Sequence, residues 1–312
     1  MSYFPQLERP LKHFCGVGVL WLLCAWASVA VGRELFVDNQ TGDDGRNGRA
    51  ATVDGNNGPF RTIARALKEA NFGDRIIIAK TPDPYRESIT LQGGRHSGIA
   101  GGEFEIVGNG AVVDGSRSVP QGWWKHFRGD VFRFRPPKMS FQTLFLDGVP
   151  AVRKYAEKAS NRLPNLEPLE WCLFNRHVYF RTSEQQVPQS FNLAYTALPV
   201  GITIYETRHV IVRDLVIQGF QLDGVNAHDN AFDTLLVGLT CRGNGRSGIS
   251  VGGASRAEIV ASLVGSNGEA QVRTEGKSHT ILVNCDLVEH DVVPKLDRRG
   301  GEVRVEGSTN LP

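Results

Sequence analysis

A pattern of apolar residues repeats along the last third of the chain. Four segments, 201–205, 224–228, 248–252 and 271–275, each place an apolar residue second, and these residues are spaced 23, 24 and 23 positions apart. They form a first column, Ile202, Val225, Ile249 and Val272. A second column, Ile211, Leu235, Ile259 and Ile281, and a third, Leu215, Leu239, Leu263 and Cys285, follow in step. Three apolar columns with a period of about 23 residues indicate a coil of short strands that bury their apolar sides only by stacking.

The repeat predicts a parallel β-helix over residues 200–312. Its segments are short, rich in β-branched residues, and without a sustained helical period. Asn-Gly pairs at 244–245 and 267–268 mark its corners. Stacking of equivalent strands about 4.8 Å apart turns each column into a ladder inside one core. Cys241 and Cys285 then point inward as small, inert core residues.

The N-terminal part, residues 33–115, fits the same design. Residues 61–70 place Ile63, Ala66, Leu67 and Ala70 on one helical face, and a buried strand is expected at 75–79. A solenoid needs a cap over its open end. We therefore expect an N-terminal capping helix followed by the first rungs.

Residues 116–199 interrupt the repeat. This stretch holds 14 of the 27 aromatic residues of the chain, and Asp147-Gly148 is a hairpin signal. We expect an inserted β-rich lobe that leans on the helix. Its aromatic side chains form a small core of their own, or one or two of them stack on sugar rings.

Residues 1–32 read as a secretory signal peptide. Arg9 and Lys12 precede an uncharged apolar run, 14–31, which ends in small residues. The alternative is an uncleaved membrane anchor. Cleavage predicts a secreted protein, extracellular or periplasmic, that does not bind the membrane. A net charge of +2 without a basic cluster gives no footprint for nucleic acid.

The N-terminal segments resemble a known superfamily. Leu35-Phe-Val-Asp38, Gly42-Asp-Asp44, Gly58-Pro-Phe-Arg-Thr-Ile63, Gly73-Asp74-Arg-Ile76 and Tyr85-Arg-Glu87 look like the entry of secreted bacterial proteins of the pectate-lyase-like superfamily. The resemblance implies an all-β, right-handed parallel β-helix and a polysaccharide partner. Inserted lobes wall one side of the groove in carbohydrate-active members. One scaffold hosts many reactions, so the resemblance specifies the fold better than the activity.

Alternate residues of the first strand in each rung face outward. One outward column is Thr203, Asn226, Ser250 and Arg273, and the next is Tyr205, His228, Gly252 and Glu275. We expect the last rung, 302–306, to extend these columns with Arg304 and Glu306. Gly252 leaves a gap between His228 and Glu275, two rungs or about 9.6 Å apart.

These outward residues suggest chemistry on uronates, by a lyase or an epimerase. Such an enzyme neutralises the C6 carboxylate, removes the C5 proton and protonates a leaving oxygen or the opposite face. Arg273 and Arg304 are candidates to hold the carboxylate, His228 to act as base or acid, and Tyr205 to pass the other proton. Asn226, Asp229, Glu275 and Glu306 complete the candidate substrate-binding set. The alternative is a salt ladder of Arg273, Glu275, Arg304 and Glu306 beside an exposed His228.

The segment 224–229 resembles the Gly-Phe-Asp-Pro-His-acid motif of mannuronan C5-epimerases. On that match His228 falls on the catalytic histidine of the family and Asp229 on the acid that follows it. Asn226 falls where the family has a catalytic aspartate. This departure puts the reaction in doubt, because an amide does not take a proton as a carboxylate does.

Other readings of the sequence stay open. The rival function is a non-catalytic glycan-binding or structural surface protein that uses the helix as a stiff rod. No metal site is predicted, and Ca²⁺ at the loop containing Asp38, Asp43, Asp44 and Asp54 is the one cofactor left open. The oligomeric state is also open. The glycine pattern at 243–248 joins two rungs and opens no helix, so it does not indicate a nucleotide site.

Overall fold

The structure is a computed structural model and describes residues 32–138, 140–157, 161–288 and 290–310. Apart from Gly32, the predicted signal peptide lies outside the described residues. The first part contains β1 (Glu34–Val37), α1 (Ile63–Glu69), β2 (Arg75–Ile78), β3 (Ile89–Gln92) and β4 (Phe104–Asp114). The middle contains β5 (Ser116–Ser118), β6 (Lys125–Arg128), β7 (Val131–Phe134), β8 (Leu144–Leu146), β9 (Val149–Pro150), β10 (Trp171–Phe174), β11 (His177–Arg181) and β12 (Leu193–Thr196). The last part contains β13 (Ile202–Tyr205), β14 (Arg208–Gln218), β15 (Asp223–His228), β16 (Phe232–Val237), β17 (Thr240–Arg242), β18 (Ser247–Val251), β19 (Arg256–Val260), β20 (Leu263–Gly265), β21 (Ala270–Val283), β22 (Asp286–Leu287) and β23 (Leu296–Glu306).

The strands outside the middle part coil into three parallel sheets. The first sheet stacks β3, β13, β15, β18 and the first halves of β21 and β23. The second sheet stacks β1, β2, the first halves of β4 and β14, then β16, β19 and the second halves of β21 and β23. The third sheet stacks the second halves of β4 and β14 with β17, β20 and β22. The expected parallel β-helix is confirmed.

The first apolar column is confirmed in the first sheet. Ile202 pairs with Val225, Val225 with Ile249, and Ile249 with Val272, and all four side chains are buried. Each rung therefore adds one aliphatic side chain to the same core ladder. A ladder of this kind removes apolar surface from water at every turn of the coil, which single rungs cannot do.

Three of the four residues predicted for the second column, Ile211, Leu235 and Ile281, are one residue out of register, and Ile259 is buried as predicted. Ile211 pairs with Leu235, Leu235 with Glu258, and Glu258 with Ile281, and the three aliphatic side chains are only half-buried. The buried column is instead Val212, Leu236, Ile259 and Leu282. Because side chains alternate along a strand, a slip of one residue moves a whole column to the opposite face. Ile211, Leu235 and Ile281 therefore face outward.

The third column contains one wrong member. Leu215, Leu239 and Cys285 are buried as predicted, but the side chain of Leu263 is 42% exposed. Ser262 takes its place in the core, where its Oγ accepts a hydrogen bond from the backbone N–H of Leu239 at 3.1 Å. Because the Ser262 hydroxyl is hydrogen-bonded there, a polar residue is tolerated inside the ladder.

The predicted inward position of the two rung cysteines is confirmed. Cys241 and Cys285 are buried, and so is Cys172 in the middle part. Burial raises the pKa of the Cys172 thiol to about 11, and it also raises the pKa of Cys241 and Cys285. All three therefore remain protonated thiols that pack as small apolar groups.

Helix α1 closes the N-terminal end of the core. Ile63, Ala66 and Leu67 are buried against the first strands, as their spacing predicts. Thr62 caps the helix by accepting a hydrogen bond from the N–H of Arg65 at 3.1 Å. The carboxylate of Glu87 accepts two more, at 2.9 and 2.8 Å, from the first two helical N–H groups. These acceptors satisfy donors that a short helix leaves without partners.

The middle part forms an inserted β lobe of two antiparallel sheets. One sheet has the order β10-β11-β7-β6, and the other has the order β5-β12-β8-β9. Its core contains aromatic side chains, with Phe134, Trp171 and Phe180 fully enclosed. The exact domain boundaries at 116 and 199 remain predictions.

The lobe rests on the corner that leads from the third sheet to the first. A Cβ added at Gly243 would lie 2.6 Å from the Phe145 ring and 2.7 Å from Pro150. Gly243 also has a φ of 63°, a left-handed conformation that favours glycine. The hydroxyl of Tyr155 donates to the carbonyl of Gly268, at 3.2 Å, one rung further along. The lobe therefore borders the first sheet along one side.

Candidate functional site

The outer face of the first sheet carries most of the predicted site residues. The register aligns Thr203, Asn226, Ser250 and Arg273 in one column, as predicted. Tyr205 and His228 also pair directly in the neighbouring column. Rung spacing therefore brings Tyr205, Asn226 and His228 together on one surface.

Tyr205, His228 and Asp229 form a compact cluster on two adjacent rungs. The ring centroids of Tyr205 and His228 are 5.2 Å apart at an angle of 50°. Nδ1 of His228 lies 3.0 Å from Oδ2 of Asp229, and the imidazole side chain is 37% exposed. Nδ1–H donates to the carboxylate, which orients the ring and leaves Nε2 as the unprotonated nitrogen of the neutral imidazole. A carboxylate, an imidazole and a phenol in contact are the groups that proton transfer needs.

The phenol of Tyr205 is held in its neutral form. The negative charge of neighbouring Glu206 raises the pKa of Tyr205, and Asp229 adds to the effect. A phenol keeps its proton at neutral pH, and the raised pKa extends the neutral form to higher pH. Tyr205 is therefore a proton donor in this cluster.

Arg273 lies in a salt ladder across two rungs. Its Nε donates to Glu275, and its Nη1 lies 3.1 Å from Oδ2 of Asp297. Asp297 also accepts a hydrogen bond from Nε of Arg299 at 2.9 Å. Arg273 is only 9% exposed. The guanidinium already faces two carboxylates, so little of its charge is available to a ligand.

The positions predicted for Arg304 and Glu306 are wrong. They pair with Ile281 and Val283, which places both residues in the second sheet. The first sheet ends instead with Asp297 opposite Arg273 and Arg299 opposite Glu275. Strand β23 runs through both sheets. The prediction assigned the second half of β23 to the first sheet, which in fact contains the first half.

Asp297 and Arg299 are the site residues that the sequence interpretation missed. Leu296 pairs with Val272, 24 residues earlier, so one more repeat interval would have found this rung. Arg299 is 60% exposed and is the most accessible arginine in this ladder. It is a better candidate than Arg304 to meet an anionic group on this face.

A gap in the second outward column lies at Gly252. A Cβ added there would meet no atom nearer than Cβ of Glu275, at 3.8 Å. The backbone of Gly252 does not have a positive φ, so a side chain can be added there without backbone strain. His228 and Glu275 flank this gap, as the spacing predicts.

In the loop left open for Ca²⁺, three of the carboxylates accept hydrogen bonds from the backbone. Asp38 accepts hydrogen bonds from the N–H groups of Gln40 and Thr41, at 2.7 and 3.1 Å. Asp43 and Asp44 likewise accept backbone N–H groups at 2.9 Å. Within the described ranges no three His, Cys, Asp or Glu side chains are grouped to hold a metal ion. No helix in those ranges has the length and hydropathy of a membrane span.

Comparison with known proteins identifies the fold. A solved structure described as the complex of XylC with xylose superposes with a TM-score of 0.55 at 13% sequence identity, over 89% of this chain and 62% of that one. This likeness agrees with the fold seen here, a parallel β-helix. This chain spans less than two thirds of the length of that solved chain.

Two other solved structures match with lower TM-scores. A glycoside hydrolase matches with a TM-score of 0.37 at 9% identity, over 89% of this chain and 97% of that one. The pectate lyase Pel9A matches with a TM-score of 0.33 at 11% identity, over 91% and 80%. No family model matches the chain. No curated protein matches it either.

Proposed function

We propose that this chain is a secreted, carbohydrate-active enzyme, a lyase or epimerase of uronate-containing polysaccharides, that works on the outer face of the first sheet. The observation that carries the proposal is the contact of Tyr205 with His228, which Asp229 orients. A chain of the same fold solved with xylose makes sugars the first ligand class to test. The signal-like segment 1–32 supports secretion, and N-terminal sequencing of the exported protein tests that part.

The cluster suggests a division of labour. Nε2 of His228 removes the C5 proton of a uronate, and Asp229 stabilises the imidazolium that forms. In a lyase the C4–O bond then breaks, a C4–C5 double bond forms, and Tyr205 protonates the leaving oxygen. In an epimerase His228 keeps the proton that it removed, and Tyr205 instead delivers its own proton to the opposite face of C5. Arg299, three rungs or about 14 Å from His228 in the same column, is the cation assigned to the carboxylate of a neighbouring uronate unit.

A glycan-binding protein without catalysis is the second candidate. The ladder of Arg273, Glu275 and Asp297 favours it, because paired charges on this face stabilise the stack without a reaction. The two candidates differ in turnover. Binding without any change in the polysaccharide supports the second.

The recess at Gly252 offers a test of where the polysaccharide binds. Gly252→Leu fills the gap between His228 and Glu275 without backbone strain. We expect a loss of more than about tenfold in kcat/KM on the best substrate, because the side chain occupies the place of a sugar ring. Initial rates of product formation measure it.

The matched control is Gly122→Leu in the lobe. A Cβ at Gly122 meets no atom within 4 Å, and its φ is not positive. We expect this variant to keep the wild-type rate. Equal rates for wild type and Gly252→Leu would show that the reaction does not take place on this face.

A further inference from the structure

A second groove lies on the outer face of the second sheet, away from the Tyr205–His228 cluster. Its floor consists of Ile211, Leu235 and Ile281, the aliphatic side chains that the register turns outward. Its volume is about 560 Å³. That volume lies in the range of small-ligand sites, which are about 300–1,000 Å³.

The groove runs along the axis of the β-helix. Glu103 precedes β4 at one end, and His279 of β21 lies at the other. The two residues are separated by four rung steps of about 4.8 Å, or about 19 Å. An elongated groove of this length fits several consecutive units of a chain molecule.

One wall of the groove is a column of polar side chains. Nε2 of His209 lies 3.6 Å from Oδ2 of Asp233. His279 pairs with Glu302 on the following rung, where Nδ1 lies 3.2 Å from Oε2. Arg256 stands between these two pairs in register. The wall therefore offers both hydrogen-bond donors and acceptors above an apolar floor.

Two charged side chains in the groove form neither an ion pair nor a hydrogen bond in the described part of the chain. Glu258 interrupts the aliphatic floor between Leu235 and Ile281, and it forms no ion pair or hydrogen bond there. The guanidinium of Arg256 contacts only the Phe232 ring, 5.5 Å from its centroid. Both side chains are exposed. Their hydrogen-bonding groups are available to a ligand.

The charge of the lining selects among polysaccharides. Apart from its histidines, the lining has three carboxylates, those of Glu103, Asp233 and Glu258, and one guanidinium, that of Arg256. This excess of negative charge repels uronate chains and nucleic acid. A ligand with many hydroxyls and no carboxylates meets no such repulsion.

We propose that the second-sheet groove binds a neutral glycan chain. The C–H faces of its pyranose rings lie on Ile211, Leu235 and Ile281. Its hydroxyls donate to Glu258 and Asp233 and accept from Arg256. The groove is a binding site separate from the first-sheet face, and it anchors the protein on a neutral polysaccharide. This inference does not rest on the reaction proposed for Tyr205 and His228.

Isothermal titration calorimetry of the full chain tests the proposal with three tetrasaccharide probes of different charge. They are a neutral xylan, glucan or mannan fragment, a galacturonate fragment and a chitosan fragment. We expect the neutral fragment to bind most tightly. Leu235→Ser, which removes part of the floor, weakens that binding by about tenfold. Glu258→Gln, at an exposed position, weakens it without affecting the fold.

Two controls separate this site from the first-sheet face. Leu263→Ser removes an exposed leucine from the third sheet, and binding of the neutral fragment stays unchanged. Gly252→Leu also leaves it unchanged. Loss of binding in Gly252→Leu alone, tighter binding of the galacturonate or chitosan fragment, or no binding of the neutral fragment overturns the proposal. A failure of turnover on the first-sheet face does not affect it.

Discussion

Single residues at the corner between the second and third sheets show how a tight turn is repeated. Asn109, Asp214, Gly238, Ala261 and Asn284 occupy this corner on successive rungs, and all have positive φ. Glycine, asparagine and aspartate tolerate the left-handed conformation best. Ala261, with a φ of 47°, is the exception. Its methyl group makes the corner more strained there than at the glycine, asparagine and aspartate positions.

Ala261→Gly is therefore expected to stabilise the protein. Relief of left-handed strain contributes about 1–2 kcal/mol, and the greater entropy of glycine in the unfolded chain takes back about 0.5–1 kcal/mol. The expected gain is about 1 kcal/mol in the free energy of unfolding, measured by denaturant titration. The control is Ala254→Gly, an exposed alanine without positive φ, which should lose stability. A loss in both variants contradicts the account.

The raised pKa of Tyr205 leads to a second prediction at the scale of the residue. Because the charge of Glu206 raises the pKa of Tyr205, Glu206→Gln should lower that pKa. The tyrosine then loses its proton at a lower pH, and the alkaline limb of the activity profile moves in the same direction. Ultraviolet titration of tyrosine ionisation measures the shift independently of activity. An unchanged titration curve in Glu206→Gln rules out this coupling.

At the scale of the strand, the sequence predicts some columns well and others poorly. The first column has one aliphatic residue flanked by polar ones, as with Ile202 between Gly201 and Thr203, so alternation assigns its face. In β14 and β16 aliphatic residues are adjacent, as with Ile211-Val212 and Leu235-Leu236. Alternation cannot then choose which residue of the pair is buried. Only the register with neighbouring rungs decides it.

A buried histidine, His96, links the capping helix α1 to strand β3 of the β-helix. Nε2 of His96 bonds to the carbonyl oxygen of Leu67 at 3.0 Å, and its Nδ1 accepts the N–H of Gln92 at 3.1 Å. The Nδ1 contact requires an imidazole without a proton on that nitrogen. Burial lowers the pKa of His96 below its ordinary value. The folded state therefore disfavours the protonated form.

This arrangement predicts a dependence of stability on pH. The free energy of unfolding should fall as pH drops below about 6.5, where the unfolded histidine takes up a proton and the buried one resists it. In His96→Asn the part of this slope due to His96 disappears. Denaturant titrations at about pH 7.5 and pH 5.5 measure the slope. The control is the exposed His126→Asn, and an equal slope in wild type and His96→Asn contradicts the prediction.

At the scale of the whole molecule, the repeat period predicted the fold and the positions of some of the candidate site residues. It placed Tyr205, Asn226, His228 and Arg273 on one face because first-sheet spacing is regular. It failed for Arg304, because β23 continues through a corner and its second half belongs to another sheet. Ion pairs such as that of Arg273 with Asp297 depend on rotamers and on the correct register. A repeat spacing does not contain that information.

The central claim is that the outer face of the first sheet transforms a polysaccharide through His228. Proton NMR of pectate, alginate and glycosaminoglycans incubated with the protein, in wild-type and His228→Ala forms, tests it most directly. We predict unsaturated uronate signals from a lyase, or altered anomeric ratios from an epimerase, with the wild type. His228→Ala should slow that change by about 10²–10⁴-fold while still binding the polymer. Unchanged spectra across the panel with the wild type, or a full rate in His228→Ala, would contradict the account.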